Sequence, residues 1–267
     1  MNDSGLVSVI LPCFNEKGNI GLLIDAIHAV LGFCEHELVV VDDNSPDGTF
    51  EAVMAKQDPR VKAFQRLSDP SLGKSIRKGI EESSGGMLII MDSDFNHQPK
   101  YLPQMVKNLE WYDCVSASRF LYGGMMDVRW RHLGSWFFNV WVRVLMRTYI
   151  TDNLYGFYAI RREVLRSLPF DRIFWGYGDY GIRLLYYLQQ QGYSVLQFPA
   201  VNGRRMAGTG NSHFFRVLHQ YTTATLRLLI TEAGTKKYAG AKKRGFRELD
   251  SGGVLPPNYQ GPPDRLR

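Results

Sequence analysis

The sequence has few cysteines and lacks several features that would define its class at once. It contains only three cysteines, Cys13, Cys34 and Cys114. Their spacing matches no metal-binding pattern, so we expect reduced core thiols in a cytosolic compartment. The first residues lack the basic and apolar regions of a signal peptide. No stretch reaches the ~18 uncharged apolar residues of a membrane-spanning helix. We therefore expect a soluble or peripheral protein.

A glycine fingerprint is also missing. No Gly-x-Gly-x-x-Gly follows the first apolar run, which argues against a dinucleotide-binding dehydrogenase.

The formal net charge is +6 and the pI is about 9.2. This balance permits nucleic acid, a membrane surface or a phosphorylated ligand as partner. The cations do not cluster around a recognised nucleic-acid module, and the basic run at 236–247 is short, so we expect no nucleic-acid partner.

Apolar runs alternate with helical patterns through the first half of the chain. The pattern predicts strands at 7–12, 37–42, 61–65 and 87–91. It predicts helices from a cap at Asn15 to about Leu31, at 49–56 and at 73–84, and it places the end of the first strand at Pro12. Such alternation is typical of an α/β fold with a Rossmann-like, mainly parallel central sheet flanked by helices. In such sheets ligands bind beyond the carboxyl ends of the strands.

The second half is less regular. Strands are predicted at 113–119, 156–160 and 194–198, and helices at 162–167, 180–191 and 213–232. Residues 129–150 are rich in Trp, Phe and Arg, which is typical of an amphipathic helix packed on the domain or of an interfacial helix at a membrane. We expect C-terminal interfacial helices. The predicted domain is 1–232, followed by a basic and then Gly/Pro-rich flexible tail at 233–267.

Two carboxylates follow the apolar run 87–90, in the tetrad Met91-Asp92-Ser93-Asp94. Two like charges so close together are unfavourable where a buried strand ends, unless a cation lies between them. Carboxylate oxygens suit Mg²⁺ or Mn²⁺, and Mg²⁺ commonly shares its coordination shell with substrate phosphates. The tetrad therefore predicts a site where a divalent metal holds a diphosphate.

Four ordered motifs give the chain a family resemblance. They are LPCFNE at 11–16, VDDNSPDGT at 41–49, GK at 73–74 and DSD at 92–94. Together they resemble family 2 inverting glycosyltransferases, which have the nucleotide-sugar-binding A-type fold. The segments DSDFNH at 92–97, SRF at 118–120 and DNLYGF at 152–157 look like the polyprenyl-phosphate sugar transferase branch, whose best known member type is dolichyl-phosphate mannose synthase. The likeness covers residues 7 to about 215 and is stronger in the first half.

The resemblance implies a nucleotide-sugar half at about 7–120 and an acceptor half at about 121–232. In the first half, Asp43 would accept hydrogen bonds from the nucleoside. Asp92 and the catalytic Asp94 would hold Mg²⁺ or Mn²⁺ on the donor diphosphate, where the ion neutralises charge on the leaving group. Asn96 would be a further metal ligand. The other expected donor-binding residues are Pro12, Phe14, Glu16, Lys74, Ser93 and Arg205.

For the acceptor, Arg119, Arg131 and Ser135 match positions that bind the lipid phosphate, and a guanidinium fork suits phosphate. The resemblance thus implies transfer of a hexose from a nucleoside-diphosphate sugar to a polyprenyl phosphate, by a protein that is peripheral on the cytoplasmic face of a membrane. It also allows for a separate membrane-anchoring partner protein. A phosphate acceptor is already an anion and can attack the anomeric carbon without a general base.

The end of the acceptor half departs from the branch. The branch usually has Arg-x-x-Gly-x-Ser-Lys, whereas this chain has RMAGTGNSH at 205–213. The segment GDYGIR at 178–183 replaces a helix that carries Gln and Glu. Asp179 lies in this second segment and is a candidate catalytic base toward a hydroxyl. An alternative interpretation is therefore a family 2 transferase that acts on a hydroxyl of a glycan or another soluble acceptor.

Some of these polar residues also have a purely structural interpretation. Asp42 and Asp47 are expected to stabilise the turn before Gly48. His97 is expected to support the acidic segment rather than to bind a metal. Lys74 is as compatible with a solvated lysine as with a phosphate contact.

Overall fold

Seven strands form one central sheet in the computed structural model, which describes residues 5–126, 129–203 and 214–232. The sheet order is β3-β2-β1-β4-β6-β5-β7. All strands run in the same direction except β6, which is antiparallel to both neighbours. The predicted mainly parallel sheet is therefore confirmed. The strands are β1 (Val7–Cys13), β2 (His36–Asp42), β3 (Val61–Gln65), β4 (Met87–Ile90), β5 (Cys114–Ser118), β6 (Tyr158–Arg161) and β7 (Val195–Pro199).

Helices cover both faces of the sheet. Among those in the described ranges, none has the length and apolar character needed to cross a bilayer. A short 3₁₀ turn, Pro99–Tyr101, leads into the fourth helix. The helices are α1 (Lys17–Leu31), α2 (Thr49–Met54), α3 (Leu72–Glu82), α4 (Leu102–Asn108), α5 (Arg129–Met146), α6 (Arg162–Ser167), α7 (Phe170–Ile173), α8 (Tyr180–Gln190) and α9 (Phe214–Glu232).

The core consists of two apolar layers, one on each face of the sheet. Along β1, Val9 and Leu11 belong to the layer under α1 and α4, whereas Ile10 belongs to the layer under α3, α5, α8 and α9. Strand β2 alternates in the same way. Because successive strand side chains point to opposite faces, a strand buried on both faces must be apolar throughout. This explains the continuous apolar runs in the sequence.

The carboxyl ends of β1, β2, β4 and β5 lie along one edge of the sheet, which we call the carboxyl edge. Strand β6 runs the other way, so the segment 150–157 reaches the same edge just before β6 begins. The residues that follow β1, β2, β4 and β5 are therefore neighbours of the residues that precede β6. This arrangement positions the candidate site.

The prediction that Pro12 ends the first strand is wrong. Strand β1 continues to Cys13, and Pro12 lies in register with Val41 of β2. Strand β4 has already ended beside Ile10, and the Pro12 carbonyl accepts a hydrogen bond from Ser93 on that side. In a parallel strand the N–H of a residue points to the same side as its carbonyl, so the missing N–H of Pro12 costs no ladder bond.

Three other details differ from the sequence predictions. Glu16, not Asn15, precedes the first turn of α1, and Asn15 has a left-handed backbone with φ of 59°. Helices α4 and α7 had no predicted counterpart. Cys13 and Cys114 are buried free thiols as expected, but Cys34 is only partly buried. The predicted tail at 233–267 lies outside the described residues.

Candidate active site

The acidic segment after β4 forms the floor of the candidate site. The Asp94 side chain is buried, and its carboxylate accepts hydrogen bonds from the backbone N–H of Asn96 at 2.9 Å and from Asn96 Nδ2 at 2.6 Å. The Asp92 side chain is more open, with 41% of its surface exposed. The Oδ1 atom of Asn96 accepts a hydrogen bond from Asn202 at 3.2 Å. The segment thus presents one buried and one accessible carboxylate.

His97 supports this segment from below. Its Nδ1 accepts a hydrogen bond from the backbone N–H of Asp92 at 2.8 Å, so the proton lies on Nε2, which donates to the Tyr155 carbonyl at 2.7 Å. The ring is 1% exposed and stacks on Phe157 with centroids 4.7 Å apart. His97 therefore has the supporting role that the sequence suggested.

Ser93 fastens the acidic segment to the end of β1. Its hydroxyl donates to the Pro12 carbonyl at 2.7 Å and lies 3.0 Å from the Cys13 thiol, which donates to it. Ser93 is 3% exposed and Pro12 is also buried. These contacts account for both residues structurally, and their donor-binding roles stay predictions.

The residues after β1 lie beside the start of α2. Phe14 is 48% exposed at the open edge of the sheet. Glu16 is buried, its backbone N–H donates to Thr49 Oγ1 at 2.9 Å, and its carboxylate accepts from Asn19 at 2.6 Å. Phe14 is therefore available to a ligand, whereas Glu16 shapes the loop that carries it.

Asp43, at the end of β2, is held from two directions. Its Oδ1 accepts a hydrogen bond from Arg66 Nη1 at 2.6 Å, and its Oδ2 accepts from the backbone N–H of Ser71 at 2.6 Å. Burial raises the pKa of Asp43, although the Ser71 amide and the Arg66 guanidinium lower it in part. Its neighbour Asp42 is fully buried and accepts two hydrogen bonds from Ser45, the structural role expected of it.

Two further positions singled out in the sequence have partners within the fold. Lys74, in the first turn of α3, forms an ion pair with Asp69. Asp47 accepts hydrogen bonds from the backbone N–H groups of Lys17 and Thr49, which confirms its turn role. A phosphate contact of Lys74 stays a prediction.

Arg119, at the end of β5, is anchored by Asp152. The guanidinium donates from Nε at 2.7 Å and from Nη2 at 2.9 Å to the two oxygens of this fully buried carboxylate. Burial opposes the charged guanidinium, but the Asp152 carboxylate outweighs it and leaves the pKa of Arg119 raised. Tyr155 lies against Arg119, with the guanidinium carbon 4.8 Å from its ring centroid, and its hydroxyl donates to the Asn96 carbonyl at 3.1 Å.

A cavity of about 220 Å³ lies between α5 and α9, and we call it the α5–α9 cavity. Three of the predicted acceptor residues, Arg119, Arg131 and Ser135, line it together. The rest of the wall is mainly apolar and includes Met126, Phe138, Leu154, Val217, Leu218 and Tyr221. The structure thus brings together residues that are far apart in the sequence.

Asp179 has a different environment from that expected of a general base. It is 5% exposed, and its carboxylate accepts from the backbone N–H of Tyr177 at 2.9 Å and from the Arg183 guanidinium. Arg183 also donates to the carbonyls of Ile173 and Trp175. These contacts describe a carboxylate that fixes the turn before α8. The predicted Arg205 lies outside the described residues.

Several residues at the site were not named individually in the sequence predictions. Asp152 and Arg66 form the ion pairs that hold Arg119 and Asp43, and Tyr155 lies between Arg119 and the acidic segment. The DNLYGF segment contains two of the three, but neither position was singled out. Their partners lie 33 and 23 residues away, so local spacing could not have indicated the pairs.

The donor set of Asp92 and Asp94 fits a hard divalent cation. The described residues contain no cluster of three or more His, Cys, Asp or Glu side chains suited to a metal ion. Two carboxylates are nevertheless a usual protein contribution to an Mg²⁺ site that substrate phosphates complete. The accessible Asp92 and the buried, hydrogen-bonded Asp94 meet this description. A ligand role for Asn96 stays a prediction, since its amide contacts Asp94 and Asn202.

The sequence matches one family model and resembles several known proteins. The model for "Glycosyl transferase family 2" matches residues 8–168. A dolichol-phosphate mannosyltransferase from Pyrococcus furiosus is 31% identical over 76% of this chain, and the match spans 58% of that relative's length. An undecaprenyl-phosphate mannosyltransferase from Micrococcus luteus is 30% identical over 76% of this chain and 85% of its own.

A solved structure has the same architecture. Glucosyl-3-phosphoglycerate synthase from Mycobacterium tuberculosis, in complex with Mn²⁺, uridine diphosphate and phosphoglyceric acid, superposes with a TM-score of 0.65. The match covers 86% of this chain and 78% of the synthase, at 22% identity. This likeness confirms the A-type fold predicted from the motifs. Together with the match over residues 8–168, it leads to the conclusion that this chain belongs to glycosyl transferase family 2.

Proposed function

We propose that the protein transfers a hexose, with inversion, from a nucleoside-diphosphate sugar to a polyprenyl phosphate at a membrane surface, with the help of Mg²⁺ or Mn²⁺. The observation that carries this proposal is the α5–α9 cavity, which combines two arginines with an apolar wall. A polyprenyl phosphate needs this combination, since its anionic head and its hydrocarbon chain are adjacent.

The cavity lies close to the proposed donor site. Tyr155 contacts Arg119 on one side and the Asn96 carbonyl on the other. Burial raises the pKa of Tyr155 well above its usual value, so the phenol stays neutral and keeps its donor hydrogen. One side chain therefore separates the arginine that would bind the acceptor from the segment that would hold the donor diphosphate.

The residues present can orient both reactants. Asp92 and Asp94 would hold the divalent ion, which supplies charge neutralisation on the leaving diphosphate when bound. Arg119, fixed by Asp152 through two of its nitrogens, keeps Nη1 directed elsewhere, toward Met126 in the cavity wall. Arg119 and Arg131 would fix the acceptor phosphate, and its oxygen attacks the anomeric carbon from the face opposite the diphosphate. The acceptor is already an anion, so no proton has to be removed.

The hydroxyl-acceptor alternative has less support. It needs a carboxylate that is free to take a proton, and Asp179 was the candidate. Asp179 is buried and ion-paired with Arg183. Its oxygens accept hydrogen bonds from Arg183 and from the backbone N–H of Tyr177, which ties the carboxylate to the turn before α8 rather than to an acceptor.

The sugar is the least constrained part of the proposal. The two relatives described above are named for the transfer of mannose to dolichol phosphate and to undecaprenyl phosphate. GDP-mannose is therefore the first donor to test, with UDP-glucose and UDP-N-acetylglucosamine as the comparison.

The outer face of α5 supports the proposed membrane location. Trp130, Leu133, Phe137 and Val144 form an exposed stripe at helical spacing, and they are 57%, 55%, 59% and 72% exposed. Arg131, Arg143 and Arg147 lie on the same helix or just beyond it and are also exposed. Aromatic and basic side chains together suit the headgroup region of an anionic membrane. We propose a peripheral protein on the cytoplasmic face, with or without an anchoring partner.

The test is a two-phase transfer assay. Purified protein, Mn²⁺ or Mg²⁺ and each radiolabelled sugar donor are incubated with polyprenyl phosphate in detergent. We expect label in the organic phase, and a loss of roughly 100-fold or more in Asp94→Asn, because this change removes a ligand charge at the diphosphate. The matched control is Asp25→Asn, which neutralises a surface carboxylate that is 62% exposed. Label that enters only a water-soluble product, or transfer that Asp94→Asn leaves intact, contradicts the proposal.

A further inference from the structure

The guanidinium of Arg66 links two segments of the proposed donor site. Its Nη1 lies 2.6 Å from Asp43 Oδ1, 2.8 Å from Ser75 Oγ and 3.2 Å from the Ser71 carbonyl, and it donates to each. Its Nη2 donates to the Asp69 carbonyl at 2.9 Å. The Arg66 backbone N–H donates to the Asp42 carbonyl at 2.8 Å. One side chain, 15% exposed, therefore connects the end of β2 to the chain that leads into α3.

Ser71 completes the connection on the other side of Asp43. Its backbone N–H donates to Asp43 Oδ2, so the carboxylate is held between Arg66 and the segment that Arg66 itself fixes. The Ser71 hydroxyl accepts from the backbone N–H of Lys74 and thereby caps α3. The position of Asp43 thus depends on the position of 69–71, and both depend on Arg66.

We infer that Arg66 is a positioning residue of the donor site, which fixes the Asp43 carboxylate and the segment 69–71 in the arrangement that receives the nucleoside. This inference rests on the proposed function, in which Asp43 accepts hydrogen bonds from the nucleoside. The Asp43 carboxylate has four lone-pair positions, and its contacts with Arg66, Ser71 and Ser75 do not use all of them. Arg66 therefore acts by fixing the direction in which the carboxylate meets a ligand.

A flexible ammonium group could not replace the guanidinium of Arg66. The guanidinium reaches four acceptors on two segments at once, and its planar geometry fixes the angles between them. An ammonium group at the same place would keep the charge beside Asp43 but would reach fewer of the acceptors. The Arg66→Lys variant therefore separates the effect of charge from the effect of geometry.

The test is the binding of nucleoside diphosphates, measured by titration calorimetry on the full chain with Mn²⁺ and with GDP and UDP as probes. We expect Arg66→Met to weaken binding about tenfold to a hundredfold, which corresponds to the loss of a hydrogen bond to a charged group. Arg66→Lys should be intermediate. The matched control is Arg77→Met. Arg77 lines the same cavity of about 390 Å³ as Arg66, but it pairs with Glu81 and Asp171 and not with Asp43.

The pH dependence of binding distinguishes positioning from a general loss of structure. The charged groups that act on Asp43 are Arg66, which lowers its pKa, and Asp42, which raises it. Removal of Arg66 leaves burial and Asp42 opposed only by the contacts of Ser71 and Ser75, so the pKa of Asp43 rises further. As the pH is lowered, affinity should then begin to fall at a higher pH in Arg66→Met than in wild type, because the more basic Asp43 carboxylate is protonated sooner. Arg66→Lys should keep the wild-type profile, since it keeps the charge.

Each outcome has a separate meaning. If Arg66→Met binds the probes as wild type does, with an unshifted profile, the inference is overturned and the proposed function stands. If wild type binds neither probe, the donor assignment of the proposed function is overturned. Hydrogen exchange at the Ser71 amide tests directly whether Arg66 fixes the segment 69–71. Faster exchange in Arg66→Met than in Arg77→Met supports this positioning role, and equal exchange overturns it.

Discussion

The imidazole of His97 determines the course of the backbone through Asp92. Since Nδ1 accepts the Asp92 N–H and Nε2 donates to the Tyr155 carbonyl, both ring nitrogens are used and only one tautomer satisfies both bonds. Phe157 covers the ring and excludes water. The orientation of the accessible carboxylate therefore depends on a residue that contacts neither metal nor substrate in the proposed mechanism.

We predict that His97→Ala lowers both stability and nucleotide affinity. The change leaves the Asp92 N–H and the Tyr155 carbonyl without these partners in a buried place, which costs about 1–3 kcal/mol for each group. Urea denaturation should show a loss of about 2–4 kcal/mol in the free energy of unfolding. The control is His219→Ala, on the exposed side of α9, with a change below about 0.5 kcal/mol. Equal midpoints for the two variants would contradict this role.

The site residues that could be predicted from the sequence differ in their environment from those that could not. Asp92 and Asp94 could be predicted, because charge at the end of a buried strand has a cost that demands an explanation. Asp152 and Arg66 could not, because each serves a partner on a distant segment. Phe14 and Asp43 came from motifs, which gave their position but not the contacts that hold them.

At the level of elements, the Arg119–Asp152 pair joins the end of β5 to the segment that precedes β6. The carboxylate also accepts the backbone N–H groups of Arg119 and Leu154, so it holds the chain on both sides. Because both side chains are nearly inaccessible, neither charge can be solvated if its partner is removed.

We predict that Asp152→Asn destabilises the protein by about 3–5 kcal/mol, the usual result of breaking a buried ion pair from one side. The double variant Arg119→Met/Asp152→Leu should recover part of this loss, because no buried charge remains, yet it should have no acceptor binding. Denaturation and lipid transfer assays measure the two effects. For comparison, Asp25→Asn breaks an exposed pair with Lys56 and should cost less than about 1 kcal/mol. If Asp152→Asn loses no more stability than Asp25→Asn, the prediction is wrong.

Element types were easier to predict than element ends. The strands and most helices followed from apolar periodicity, since the sheet is buried on both faces. The end of β1 was predicted wrongly at Pro12, because the effect of this proline depends on where the neighbouring β4 ends. The local sequence around Pro12 does not show how β1 pairs with β4. Helix α4 was not predicted, although its Pro103 lies in the first turn, where proline is well tolerated.

On the scale of the whole molecule, the exposed stripe of α5 is the surface most suited to a bilayer. We predict binding to anionic phosphatidylserine vesicles in a flotation assay. The double variant Trp130→Glu/Phe137→Glu should reduce the bound fraction at least about tenfold, since each aromatic side chain contributes about 1.5–3 kcal/mol when buried in the interface. Titration with nucleoside diphosphate should be unchanged.

The control for this experiment is Trp111→Glu. Trp111 is 55% exposed and follows α4, so the change adds one negative charge to an exposed tryptophan away from the α5 stripe. Vesicle binding should persist in this variant. If the α5 double variant floats as well as wild type, the stripe is not the membrane-binding surface.

The described residues to which we assign a role in the reaction lie toward the carboxyl edge of the sheet. The opposite edge is therefore a suitable place to attach a label or an affinity handle. The turn between α1 and β2 is there, and its Phe33 is 62% exposed. A fluorophore or an affinity handle inserted at this turn would face away from the substrates. The protein could then be immobilised in one defined orientation, with the substrate-facing side open to a lipid film laid over the support.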